Sequence, residues 1–241
     1  MENVITVDRL TKTFGAFKAV NEISFEVGRG EIFGFLGANG AGKTTALKML
    51  TGLLTPTRGR AMVAGFDVGR QPEQVKRRIG YMSQKFSLYE DLTVRENIRF
   101  WGGIYGLKTN VLREKMATVL ANLELTTQAD SLVQSLPLGW RQKLAFAVAQ
   151  LHEPAIVFLD EPTSGVDPLT RRQFWEGIYE AARRGVTLMV TTHYMEEAEY
   201  CDRVSMMVDG KIEALDTPRG LRERFGAKDM DEVFRVLARG K

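Results

Sequence analysis

The stretch Gly37-Ala38-Asn39-Gly40-Ala41-Gly42-Lys43-Thr44 constrains this 241-residue chain more than any other. It fits the pattern G-x-x-x-x-G-K-[ST] where that pattern has physical meaning, after a short apolar run (32–36) read as a strand and at the start of a helical pattern (42–53). A strand that feeds a glycine-rich turn and then a helix aims successive backbone N–H groups into one concavity. The first helical turn adds its partial positive charge, so the cradle suits a phosphate. Gly37, Asn39, Gly40, Ala41 and Gly42 form the loop. Lys43 can reach the β- and γ-phosphates, the Thr44 hydroxyl is placed for Mg²⁺, and Thr45 offers a hydroxyl to the α-phosphate.

A second local signal lies more than a hundred residues on. The run Ala-Ile-Val-Phe-Leu (155–159) is uniformly apolar, as a central parallel strand buried on both faces is, and it ends in Asp160-Glu161. Ligand chemistry in such sheets gathers at the carboxyl ends of strands, so these acids are predicted to face the phosphate loop. Successive strand side chains point opposite ways. Asp160 is therefore assigned to the metal, and Glu161 is left to polarise an attacking water as general base.

The rest of the chain reads as a frame for these two signals. Its length suits one large domain, or a domain with a subdomain, and supports a sizeable core. The net charge of +3, from 33 basic and 30 acidic residues, points to no acidic polymer, and no nucleic-acid partner is expected. A single cysteine, Cys201, excludes an internal disulfide framework and fits a reducing compartment as a small buried residue. The opening residues predict no secretory leader, and no apolar stretch approaches the roughly 20 residues that span a bilayer.

Residues 3–7 and 22–27 are predicted antiparallel strands, with another at 61–64. Helical patterns at 93–106, 111–123 and 138–151 follow one another without a strand, which predicts an inserted helical subdomain over about 86–152. Strands at 155–159, 187–191, 204–208 and 211–215 then alternate with helices at 168–184 and 194–200. That alternation predicts an α/β sheet with parallel central strands. The tail, 226–241, reads as short amphipathic helix beyond a main domain at 1–225.

The run Leu-Asp-Glu-Pro-Thr-Ser-Gly-Val-Asp-Pro (159–168), following a phosphate loop, resembles the ATP-binding subunits of ABC transporters, and the resemblance covers nearly the whole chain. It implies the P-loop NTPase fold of the ABC ATPases, a mixed central sheet with an antiparallel β subdomain and an inserted helical subdomain. It also implies an ATP hydrolase using Mg²⁺. Residue by residue, it places Phe14 under the adenine, Gln84 at the metal and attacking water, His193 at the γ-phosphate, and Asp167 at the interface between two such subunits.

In that family each site is completed by the partner's L-S-G-G-Q-like signature. This chain has Leu136, Pro137, Leu138, Gly139 and Trp140 there. Pro137 lacks the serine hydroxyl and an N–H donor, and Leu138 adds bulk, although a helix start and Gly139 survive. The spelling resembles an export branch paired with ABC-2-type permeases. The resemblance thus implies a homodimer or a pair with a related ATPase subunit, peripheral on the inner face of the cell membrane through permease subunits. Residues 85–105, rich in aromatics beside Gln84, are the expected groove for a permease helix. Two other readings stay open: a soluble ABC-type switch acting on DNA or ribosomes, and a nucleotide-binding partner that hydrolyses poorly. A GTPase is disfavoured because no N-K-x-D motif is present.

Overall fold

The computed structural model describes residues 2–84 and 88–239. Two sheets form its frame. The larger has six strands: β3 (Ile32–Leu36), β6 (Ile79–Met82), β7 (Ile156–Asp160), β8 (Thr187–Thr192), β9 (Arg203–Val208) and β10 (Lys211–Asp216). Their order is β10-β9-β3-β8-β7-β6, parallel throughout except for the antiparallel pair β9/β10. The smaller sheet is antiparallel, in the order β2-β1-β4-β5, from β1 (Asn3–Phe14), β2 (Phe17–Gly28), β4 (Arg58–Val63) and β5 (Phe66–Asp67).

Strand alternation sorts the core into two halves, one on each face of the six-stranded sheet. Phe33, Phe35, Ile156, Phe158 and Met189 point to the side of the small sheet and of α1 (Lys43–Leu50). Ile32, Leu36, Val157, Leu159, Leu188 and Val190 point to the other side, where the helices pack. Those helices are α3 (Val94–Ile104), α4 (Thr109–Asn122), α5 (Leu138–Ala149), α6 (Pro168–Arg183), α7 (Pro218–Phe225) and α8 (Met230–Arg239). A short α2 (Pro72–Arg78) precedes β6.

Local chemistry sets the helix ends. Thr93 and Glu96 form a reciprocal capping box at α3. Asp167 caps α6 and Thr217 caps α7, each followed by proline at the first helical position, and Gly226 in the left-handed conformation ends α7. Among the described residues no helix is long and apolar enough to cross a membrane.

Several expectations needed adjusting. β1 and β2 are each 12 residues long, far longer than 3–7 and 22–27. Their exposed ends pair with one another, and repeated register shifts break the alternation that would mark them in sequence. Residues 195–200 form a 3-10 turn rather than an α-helix, closed by the Cys201 N–H donating to the Ala198 carbonyl (3.1 Å). The tail is anchored: Met230 and Val233 of α8 are buried in the helix-side core together with Met195, Ala198 and Cys201.

Candidate active site

The loop from β3 to α1 is shaped by backbone that only glycine tolerates. Gly42 has φ +104°, and a Cβ there would lie 2.3 Å from the Ala19 carbonyl oxygen. At Gly37, φ +156°, a Cβ would come within 2.3 Å of the Met207 carbonyl oxygen. The turn is therefore pinned between β2 and β9, and the Ala41 N–H closes it by donating to the Ala38 carbonyl at 3.1 Å. Asn39, Gly40, Gly42, Lys43, Thr44 and Thr45 line a cleft with Gln84 and Glu161. Ala41 instead turns into the core with α1.

Lys43 is buried, and its ammonium donates to the Gly37 and Ala38 carbonyls at 2.8 and 3.1 Å. Burial pulls its pKa below the ordinary lysine value, opposed by Glu161, whose Oε1 lies 3.5 Å away.

Across the cleft, β7 ends in the two acids, and the sheet sends them to different partners. Asp160 shares a face with Ile156 and Phe158, the face on which α1 packs, so it meets Thr44. The Thr44 hydroxyl donates to Asp160 Oδ1 at 3.1 Å, and the Thr191 hydroxyl donates to the same oxygen at 2.7 Å. Burial nevertheless raises the Asp160 carboxyl above its usual range, the two hydroxyls pulling the other way.

Glu161 leaves the strand with φ +50°, an uncommon conformation for a residue with a side chain. Its N–H donates to the Thr191 carbonyl at 3.1 Å and the Thr191 hydroxyl at 2.9 Å, which fixes the turn. Its Oε2 accepts from Gln84 Nε2 at 3.1 Å and sits 3.1 Å from His193 Nδ1. Residues 84, 161 and 193, scattered in the chain, thus converge on one carboxylate at the rim of the phosphate cleft. A buried carboxylate held this way, beside a lysine and an oxygen pair able to take a hard cation, can orient and polarise a water at a bound phosphate.

Other expected residues fall differently. Phe14 and Phe17 pair at the tip of the β1–β2 hairpin, both exposed, and it is Phe17 that lines the cleft, while Lys12 Nζ sits 5.3 Å from the centre of the Phe14 ring. Leu136 is a buried core residue and does not reach the surface. Pro137 is exposed and occupies the cap of α5, just ahead of its first turn. Leu138 and Gly139, half-buried, open α5 ahead of the first bonds to the Pro137 carbonyl, from the Trp140 and Arg141 N–H groups at 3.0 and 3.1 Å. Asp167 accepts from the Thr170 N–H at 3.0 Å and from its hydroxyl, bonds that hold the carboxyl below the ordinary range.

In the aromatic stretch after Gln84, residues 85–87 lie outside the described residues. Beyond them Tyr89, Phe100 and Ile104 are exposed, while Leu88, Val94 and Ile98 are core. Thr191 and Phe17 were not foreseen as site residues. The signal for Thr191 was a threonine closing the apolar run 188–190 of β8, and the sheet pairs it directly with Asp160.

The comparisons with known proteins agree with this geometry. The family model described as "ABC transporter" matches residues 20–164. The "Probable multidrug ABC transporter ATP-binding protein YbhF" of Escherichia coli (strain K12) is 51% identical over 221 residues, 92% of this chain, which spans 38% of that relative's length. The "Linearmycin resistance ATP-binding protein LnrL" of Bacillus subtilis (strain 168) is 35% identical, covering 98% of this chain and 76% of the relative. The solved "Structure of ATP binding subunit of ABC transporter" superposes with a TM-score of 0.88 at 29% identity, covering 98% of this chain and 100% of that one. With a family model over most of the chain, relatives well above 30% identity and a phosphate cleft facing an Asp-Glu pair, the chain belongs to the ABC transporter family, as an ATP-binding domain of it.

Proposed function

We propose that the chain binds and hydrolyses Mg-ATP in a head-to-tail pair with a second cassette, a copy of itself or a related subunit, and so drives export through separate ABC-2-type permease subunits. The observation that carries the hydrolytic half is the convergence of Gln84, His193 and Lys43 on the Glu161 carboxylate at the phosphate cleft. Held by these groups, Glu161 accepts a proton from the attacking water, His193 faces the γ-phosphate, and Lys43 faces the β- and γ-phosphates. Phe14 and Phe17, exposed at the hairpin tip, are the aromatic faces available to adenine.

The protein oxygens fit a small hard cation. Among the described residues no cluster of three His, Cys, Asp or Glu forms a closed metal site. Thr44, Asp160 and Gln84 would hold it together with phosphate and water, oxygen donors of the kind that suit Mg²⁺. Mg²⁺ held there would supply positive charge to offset that of the phosphates.

The start of α5 supports pairing. With Pro137 exposed, the Leu138 and Gly139 N–H groups form an open helix terminus suited to a phosphate held by another subunit. Asp167 stands at the same surface, on the cap of α6. The exposed Tyr89 and Phe100, whose rings meet edge to face, and the exposed Ile104 suit the apolar side of a permease helix and would place the chain on the inner face of the membrane. Relatives named for multidrug transport and drug resistance support the export direction.

The test is purification of the tagged full-length chain from membranes. The expected result is Mg²⁺-dependent ATP turnover and a co-purifying integral membrane subunit. Recovery without any membrane subunit contradicts the transport half, and absence of Mg²⁺-dependent ATP turnover contradicts the hydrolytic half.

A further inference from the structure

Among the described residues two buried acids, Asp67 and Glu197, lie outside the groups that face the cleft. Glu197 is fully buried, in the 3-10 turn Met195–Tyr200, four residues beyond His193. A carboxyl is rarely placed there unless something holds it. Its Oε1 accepts from the Thr163 hydroxyl at 2.5 Å and lies 3.7 Å from Arg171 Nε. Thr163 is also buried and stands two residues past Glu161, while Arg171 lies in the opening turns of α6, just beyond Asp167. The Arg171 guanidinium in turn sits 4.1 Å from the centre of the Tyr194 ring, and Tyr194 adjoins His193.

One carboxyl thus joins the turn after Glu161, the start of α6, and the segment after His193. The same turn is held from its other side by α5. Gln142 Nε2 donates to the Ser164 carbonyl at 3.2 Å, and the Ser164 N–H donates to the Glu161 carbonyl at 3.2 Å. Such bracing suits a backbone at φ +50°, which persists only where its surroundings over-determine it. The two links differ in tightness. Thr163 is hydrogen-bonded, whereas Arg171 Nε and Glu197 Oε2 are buried without hydrogen-bond partners among the described residues. The Arg171 contact would close to a hydrogen bond with a shift of under about 1 Å.

We propose that Glu197 is a positioning residue, which through Thr163 fixes the Glu161 turn relative to His193 so that the two move as a unit. The inference rests on the reading of Glu161 and His193 as partners in hydrolysis. It adds to that reading a residue that never touches nucleotide.

The experiment compares ATP hydrolysis and equilibrium binding of a fluorescent ATP analogue by the full-length chain and its Thr163→Val, Thr163→Ser, Glu197→Gln and Glu161→Gln variants. Thr163→Val keeps the volume and removes the donor. It is expected to lower kcat on the order of 10- to 100-fold, the effect of a displacement of about 1 Å at a reacting centre. KM and analogue affinity are expected to stay within about twofold, because this interaction acts on the chemical step alone. Thr163→Ser, with its hydroxyl retained, is expected to recover most of the turnover. Glu197→Gln can still accept from Thr163 but loses its charge beside Arg171, and it is expected to fall between them. Wild-type kcat in Thr163→Val beside an inactive Glu161→Gln overturns this inference alone. So does a Thr163→Val variant that loses turnover and analogue binding in step, or a serine variant as impaired as the valine one. Wild-type turnover in Glu161→Gln removes the reading of Glu161, and this inference with it.

Discussion

Asp160 lies at the end of β7 almost wholly buried, and burial raises its carboxyl although the Thr44 and Thr191 hydroxyls both donate to it. The sign of the linkage follows. A carboxyl whose native pKa exceeds its unfolded value of 3.8 binds more protons folded than unfolded, so its ionisation weakens the fold as pH rises through that interval. Asp160→Asn keeps an oxygen to accept both hydroxyls and has no charge to bury. In thermal denaturation near neutral pH, without Mg²⁺ or nucleotide, its midpoint is expected above the parent's, with the difference shrinking as the pH is lowered toward 3.8. An Asn variant less stable than the parent near neutral pH contradicts this. Its Mg²⁺-dependent nucleotide affinity is expected to fall, so that stability and binding separate at one residue. The residues legible from their own neighbours were those whose partners are local, whereas Gln84 and His193, which meet Glu161 from 77 and 32 residues away, were placed by resemblance. The loop 37–45 and the pair Asp160-Glu161 each carry their context beside them. Thr191, Thr163 and Glu197 did not, because a buried hydroxyl or carboxyl announces nothing until the fold brings its partner from about thirty residues away. Phe14 was expected from resemblance alone, and Phe17 was overlooked because a hairpin tip places both rings at one end.

Elements were legible wherever burial imposed a period. β3, β7 and β8 are buried at every residue, and each carries a short apolar run, 32–36, 156–159 and 188–190, that marks it in sequence. α2 was missed because its seven residues bury only Val75, too little to write a stripe. The contact between α5 and α6 was also invisible in sequence. Gly139 was expected to serve as an N–H donor, yet the fold gives it a packing role as well. A Cβ there would lie 2.4 Å from Thr170 Cγ2, and Thr170 is held in place by Asp167. Gly139→Ala is therefore expected to destabilise the chain by about 1–3 kcal/mol, the range for overpacking a fitted contact. Adding Thr170→Ser, which removes the obstructing methyl and keeps the hydroxyl, should return most of that loss in urea unfolding. A Gly139→Ala chain as stable as the parent means that α5 and α6 are not packed as described.

For the whole molecule, the six-stranded sheet carries the cleft at the carboxyl ends of β3 and β7, and α8 packs into the core on its helix side. Met230 of α8 is almost fully buried in the core that also contains Met195 and Ala198, the segment following His193. Met230→Ala is expected to cost about 2–5 kcal/mol in urea unfolding, as other buried methionine truncations do; a loss under half a kilocalorie, the range of about ±0.5 kcal/mol typical of surface changes, would show that the tail is not part of the fold. The general α/β architecture was readable because strands and helices alternate. The joining of the tail to the histidine segment was not, since amphipathic helices show which face is apolar but not what covers it. The central claim remains that Glu161 activates the water. The direct measurement is steady-state ATP hydrolysis by the wild type and Glu161→Gln, with nucleotide binding followed in parallel. With Glu161 as base, the variant is expected to bind Mg-ATP as the wild type does while kcat falls by at least about 100-fold, the lower range for loss of a general base. A Glu161→Gln chain that turns over ATP at the wild-type rate contradicts the account.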